Sequence, residues 1–249
     1  MTKSKIDDLK ELFNELLSKG YSDYKIAKEL NLNHCTVFQY RKKHGITRES
    51  LRENKAIPIT SDNMEVLLGT MLGDGTIRIS RGSKNPSFSC EHSIKQTDYC
   101  KYKGDLLSNL NPKVIYNKRK TPDPRNGLYY ESCLLRLPAN PELLKLYNAF
   151  YPNRKKVIPI ELIKEYFSAR SLAILYMDDG NKMANGYAIS TNCFSEEEVL
   201  NFRKFLFEKF DLETSMFRNH VLYIKALSAK RFKSLILPYI HKSMLYKLH

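Results

Sequence analysis

Two apolar stretches that end alike constrain this chain more than any other feature: Leu67-Leu68-Gly69-Thr70-Met71-Leu72-Gly73-Asp74-Gly75 and Leu172-Ala173-Ile174-Leu175-Tyr176-Met177-Asp178-Asp179-Gly180. Each is apolar on nearly every helical face, which predicts a buried helix. The final glycine of each is expected to end its helix in the left-handed region, which glycine enters cheaply. Asp74 and Asp179 then sit at helix C-termini, where the macrodipole disfavours a negative charge by about 0.3–1 kcal/mol. Two neighbouring buried carboxylates in such places call for a compensating cation, most simply a divalent metal ion. Gly69 and Gly73 share one helical face and allow a partner backbone to approach closely, with Ala173 the comparable small residue of the second stretch.

Around each stretch the pattern runs helix, two strands, helix, two strands, helix. Past Gly75, residues Thr76, Arg78 and Ser80 alternate with Ile77 and Ile79, the period of a half-buried antiparallel strand. A return strand is expected at 88–92, a helix at 97–110, strands at 113–118 and 128–137, and a helix from Asn140 or Pro141 to about Tyr151. The second arm offers a strand at 187–192, a helix at 195–210 opened by the capping box of Ser195 and Glu198, a hairpin at 213–227, a helix at 229–239 and a tail. Ser61 or Asp62 caps the first apolar helix, and the second begins at Ser171. The expected divisions are 62–152 for the first unit, 153–170 for a connector and 171–249 for the second unit. The fold class is α+β: two pseudo-symmetric αββαββα units whose sheets bury one face on outer helices and leave the polar faces open together as a saddle. Those faces carry Arg78, Tyr130, Ser132, Arg136, Arg218 and Lys225, with Ser80, Lys84, Lys118, Arg119, Lys182 and Asn192 as further contact candidates. A two-stranded ribbon fits the DNA major groove.

Residues 1–46 read separately. Helical spacing over 5–19 stops at Gly20, Ser22 caps a short helix over 23–30, and a third helix runs over 34–44 to Gly45. Three short helices with a tight second turn resemble a helix-turn-helix module, whose third helix would present His34, Thr36, Gln39, Tyr40, Arg41 and Lys42 to bases and phosphates. The alternative is a small bundle used for protein contacts. Residues 47–61 read as a linker.

The two Asp-Gly stretches resemble the paired signature motifs of the LAGLIDADG homing endonucleases in their single-chain form, over about residues 62–249. That resemblance implies a site-specific, metal-dependent endonuclease acting on double-stranded DNA, with Asp74 and Asp179 as the motif acids. It also implies a lysine in each half near the attacking water: Lys156 in Lys155-Lys156-Val157-Ile158-Pro159, and Lys247 in Met244-Leu245-Tyr246-Lys247-Leu248. The metal candidates are Asp74, Asp179, Gly73 and Asp178. Oxygen donors favour Mg²⁺, with Mn²⁺ as a substitute. Thr70 departs from the family pattern, as do Ile174, where a small residue is usual, and Asp178, an extra carboxylate beside Asp179.

A net charge of +14 with 42% hydrophobic and 27% charged residues points to a globular protein with a polyanionic partner. No apolar run is long enough for a membrane span. Five cysteines without a CxxC pair suggest reduced thiols in an intracellular protein. With both half-sites in one chain, a monomer is expected. Three functions stay open on the sequence: a homing endonuclease, an intron-splicing RNA maturase, and a DNA-binding regulator on a silent nuclease scaffold.

Overall fold

The computed structural model describes residues 6–46 and 56–249, so residues 47–55 of the expected linker lie outside the described residues. Two compact units result, one within residues 1–55 and one spanning 56–249.

In the first unit a 3-10 turn (Asp7–Leu9) leads into α1 (Lys10–Ser18), α2 (Asp23–Glu29) and α3 (His34–Lys43). Ser22 caps α2 by accepting from the Lys25 amide, and Asn33 caps α3 by accepting from the Cys35 amide. Phe13, Leu16, Leu17, Ile26, Ala27, Val37 and Tyr40 form a separate small core. Two residues expected to face nucleic acid are turned inward instead. Tyr40 is buried against Phe13 and donates to Asp7. Arg41 makes a two-pronged ion pair with buried Asp23 at 3.0 and 3.1 Å and donates to the Ile46 carbonyl. The reason is helical geometry: Val37, Tyr40 and Arg41 share the stripe that faces α1 and α2, which leaves His34, Gln39 and Lys42 outward.

The second unit holds the duplication. Its first half is α4 (Ser61–Leu72), β1 (Gly75–Arg78), β2 (Ser87–Ser93), α5 (Thr97–Leu106), β3 (Lys113–Lys118), β4 (Glu131–Arg136) and α6 (Leu143–Phe150). After the connecting helix α7 (Ile160–Tyr166), the order recurs as α8 (Ala169–Asp179), β5 (Gly180–Lys182), β6 (Tyr187–Ile189), α9 (Glu196–Phe210), β7 (Thr214–Met216), β8 (Leu222–Ile224) and α10 (Ala226–Ile236). Both sheets are antiparallel and share one topology, β1-β2-β4-β3 and β5-β6-β8-β7. The short strand β5 has no hydropathy signal of its own and exists through its pairing of Gly180 with Ile189 and Lys182 with Tyr187. The expected tail is ordered as a 3-10 segment (Lys242–Leu248) that buries Met244 and Leu248.

Capping differs from expectation at both apolar helices. Thr60, not Ser61 or Asp62, caps α4 in a reciprocal box with Asn63, and Ser168 caps α8 in the same way with Ser171. Gly75 and Gly180 do not end their helices in the left-handed region: neither has a positive φ, and each is the first residue of a strand. Glycine is needed there for space. A Cβ on Gly75 would lie 2.6 Å from the Thr70 carbonyl oxygen, and one on Gly180 would lie 2.1 Å from the Tyr176 ring.

α4 and α8 pack on each other as Gly69 and Gly73 suggested. A Cβ on Gly69 would lie 2.4 Å from the Ser171 carbonyl oxygen and 2.9 Å from the Ile174 Cβ, and one on Gly73 would lie 2.7 Å from the Asp178 Cβ. The groups facing the glycines are therefore Ser171, Ile174 and Asp178, not Ala173. Ser171 also donates its hydroxyl to the Glu65 carbonyl, which ties the two helices together near their N-termini. Among the described residues, no helix is long and apolar enough to cross a membrane.

Candidate active site

The close contact of α4 and α8 brings their Asp-Gly ends together, and the charges there influence one another. Asp179 ends α8, whereas Asp74 lies just beyond α4, which stops at Leu72. Burial pushes the Asp179 carboxyl up to about 6, with the charges of Asp74 and Asp178 adding to the rise. Burial acts against ionisation of Asp74 too, but the hydrogen bond from His92 and the nearby positive charges outweigh it and hold that carboxyl below its ordinary value.

The two lysines stand in equivalent places. Lys156 donates from Nζ to the carbonyls of Gly73 at 3.1 Å and Gly75 at 3.0 Å. Lys247 donates to the carbonyl of Asp178, the counterpart of Gly73, at 2.9 Å. The chain around Lys247 is held by Tyr176, which donates to the Lys247 carbonyl. Burial pulls both amines below the ordinary lysine value, against the opposing pull of the three aspartates.

Three residues that sequence reasoning missed lie beneath these groups. Lys103 and Tyr99, both fully buried on α5, close on the Asp178 carboxylate: Lys103 Nζ lies 3.0 and 3.1 Å from its two oxygens, and the Tyr99 hydroxyl donates at 2.7 Å. His92, on the core face of β2 with Phe88 and Cys90, places Nδ1 at 3.2 Å from Asp74 Oδ2. Its ring lies 5.2 Å from that of Tyr99. A sequence signal existed for Lys103, which occupies the buried face of α5 with Tyr99, Cys100 and Gly104. A lysine in such a stripe requires a carboxylate partner, and Asp178 is the surplus one.

Donor atoms of Asp74, His92 and Asp178 all lie within 4.8 Å of one another. In this cluster His92 Nδ1 already serves Asp74, and the Asp178 carboxylate already serves Lys103 and Tyr99. Asp179 differs, for among the described residues its carboxylate has no ion-pair or hydrogen-bond partner. An unpaired carboxylate beside a second, partly exposed one, with backbone carbonyls at hand, is a hard-oxygen donor set that fits a divalent cation.

The sheet candidates divide by strand alternation. Arg78, Arg136, Ser132, Tyr130 and Arg119 share one face of the first sheet, as the pairings of Arg78 with Ser87, Ser89 with Arg136, and Ser93 with Ser132 require. Lys118 falls on the opposite face, paired with Glu131 at 3.1 Å. Lys182 likewise shares the face of Gly180 and buried Ile189, its amine 5.2 Å from the Tyr187 ring centre. The one-residue alternation of a strand separates these two lysines from the open-face set. In the second half, Lys225 lies beside Glu213 at 3.3 Å, and Arg218 and Asn192 are exposed in loops. Ser80 and Lys84 are exposed between β1 and β2.

Residues 64–235 match the LAGLIDADG DNA endonuclease family, and the chain belongs to it. It is 39% identical over 150 residues to the intron-encoded endonuclease ai4 of Dictyostelium discoideum, an alignment covering 58% of this chain and 92% of the relative. It is 27% identical over 197 residues to the cytochrome b mRNA maturase bI2 of Debaryomyces hansenii, covering 77% of this chain and 75% of the relative. In fold it is similar to the homing endonuclease I-WcaI, solved bound to its DNA recognition sequence, with a TM-score of 0.69 and 24% identity over 82% of this chain and 92% of the other.

Proposed function

We propose that the chain is a site-specific homing endonuclease that makes a staggered double-strand break in a long, non-palindromic DNA target, hydrolysing one phosphodiester per strand. The observation that carries this reading is the pairing of two motif aspartates, each with its own half-buried lysine held on the carbonyl of the preceding residue.

Asp74 and Asp179 would hold divalent metal, one acid serving each strand, with the Gly73 carbonyl as a further oxygen donor, and Mg²⁺ would be the physiological metal. When bound, the ion lowers the cost of forming hydroxide and stabilises charge on the scissile phosphate. Lys156 and Lys247 sit where they can orient a water for in-line attack. The water gives up a proton to solvent as its oxygen bonds to phosphorus, the opposite P–O bond breaks, and the departing oxygen takes up a proton. An amine whose proton is loosened by burial is suited to polarise that water or supply that proton. Asp178, engaged by Lys103 and Tyr99, supports the site from below rather than binding the ion.

The open sheet faces take DNA through Arg78, Arg136, Arg119 and Tyr130 in the first half and through Lys225, Arg218 and Asn192 in the second. The N-terminal module lengthens the recognised site through His34, Thr36, Gln39 and Lys42, and a tethered second reader raises affinity through effective concentration. The protein acts as a monomer.

A second reading, intron-splicing maturase, is favoured by one observation, the likeness to a maturase over three quarters of that relative's length. Incubation of a genomic fragment pool with Mg²⁺ or with EDTA, using wild type and Asp179→Asn, separates the two. One recurrent metal-dependent staggered break, absent in the variant, supports the endonuclease. Selective retention of an RNA without any cut supports the maturase.

A further inference from the structure

The two halves repeat one another in lysines and in strand register but differ in how each motif aspartate is held. In the first half Gly75 pairs with Cys90, so His92 stands two residues further along β2, with Nδ1 3.2 Å from Asp74 Oδ2. In the second half Gly180 pairs with Ile189, and the residue two further along is Thr191. Its hydroxyl does not turn to Asp179. It donates to the His220 carbonyl and accepts from the Leu222 amide, closing the loop beside β8.

His92 is fixed more firmly than a single hydrogen bond would require. Its side chain is 1% exposed, and among the described residues its buried Nε2 has no hydrogen-bond partner. A buried N–H at Nε2 would be an unsatisfied donor, which favours the tautomer whose proton sits on Nδ1, facing Asp74. The neighbouring Tyr99 ring cannot yield, because its hydroxyl is tied to Asp178, which Lys103 holds from the other side. One oxygen of Asp74 is thereby fixed, while among the described residues neither oxygen of Asp179 has a hydrogen-bond partner.

We propose that His92 is a positioning residue acting through Asp74 alone, so that the braced half-site cuts its strand first and the unbraced one follows. The proposal rests on the endonuclease reading above.

The test has two arms. Imidazole nitrogen NMR on the metal-free protein reads the brace without any turnover. The expected result is a single His92 tautomer protonated at Nδ1 that is lost in Asp74→Ala; a mixture of tautomers in wild type overturns the proposal. The second arm follows a supercoiled plasmid carrying the site recovered from the fragment pool, with each strand labelled separately. Wild type should accumulate a nick in one strand only. His92→Phe keeps a ring against Tyr99 but removes the donor, and should slow that strand at least about tenfold, leaving the other within about twofold. His92→Gln, which restores an N–H donor, should recover part of the loss and covers the case in which His92→Phe folds poorly. Equal slowing of both strands, or nicks shared evenly by wild type, overturns the proposal while leaving the endonuclease intact. A wild type that never cuts overturns both.

Discussion

The amine of Lys247 lies 2.9 Å from the carbonyl oxygen of Asp178, and this contact repeats, across the duplication, that of Lys156 with Gly73 at 3.1 Å. Each lysine thus sits one residue from a motif aspartate without neutralising its carboxylate. Lys156→Met and Lys247→Met should each lower single-turnover cleavage by about 10²-fold or more, as expected for loss of a group acting in proton transfer. DNA affinity should change little. Gel-shift and quench-flow measurements on the same preparations check this, and a parallel fall in affinity would assign the lysines to binding instead.

Asp179 makes metal-free stability depend on pH. Its carboxyl, pushed to about 6, titrates above the usual aspartate value, so the folded state holds a proton that the unfolded chain has already released. The stability linked to that proton is complete below about pH 4 and is lost as pH rises through 6. Asp74, held below its ordinary value, has the opposite sense and acts only at more acid pH. In EDTA the melting temperature should fall between pH 5 and 7, the fall should vanish in Asp179→Asn, and Mg²⁺ or Mn²⁺ should reverse it at pH 7. A flat wild-type profile in scanning fluorimetry would contradict the assignment.

The fully buried pair of Lys103 and Asp178 should behave as a coupled unit. Asp178→Ala leaves a buried ammonium without its partner and should cost about 3–5 kcal/mol. Adding Lys103→Met should recover most of that loss. Denaturant unfolding of the single and double variants gives the coupling directly, and strictly additive losses would show that the pair is not one.

Gly69 has no room for a methyl group, because the atom a Cβ would strike first is the Ser171 backbone oxygen at 2.4 Å. Gly69→Ala should destabilise the second unit by about 1–3 kcal/mol, in the range of other overpacked cores. Gly82→Ala, in a turn with open space around it, should cost less through packing and report only its backbone conformation. Chemical denaturation compares the two.

If the open sheet faces take DNA, affinity should fall steeply with salt. About eight phosphate contacts give a slope near −7 in log K against log[salt]. Arg41→Ala, in contrast with Lys42→Ala, should lower the stability of the first unit rather than the salt slope, since Arg41 is the buried partner of Asp23.

The element order was legible because both apolar helices and most strands carry strong local periodicity. Short β5 was not, because pairing rather than hydropathy defines it. The helix caps were displaced for a similar reason: Thr60 and Ser168 lie one or more residues before the apolar run begins. In the site, Asp74 and Asp179 were named from the two Asp-Gly stretches themselves, and Lys156 and Lys247 only through resemblance to a family. His92, Tyr99 and Lys103 were not, because their meaning depends on partners brought close only by the fold: Lys103 and Asp178 are separated by 75 positions in sequence. Arg41 failed in the opposite direction, a cation in a basic run that the fold uses internally.

The crossing of α4 and α8 has a consequence for the chain as a whole. Ile174 of α8 fills the space left by Gly69 of α4, its own counterpart in the duplication. Two copies of the first half would meet glycine to glycine and leave a void; two copies of the second would drive isoleucine against isoleucine. If the halves were expressed as separate polypeptides, each should therefore select the other over itself.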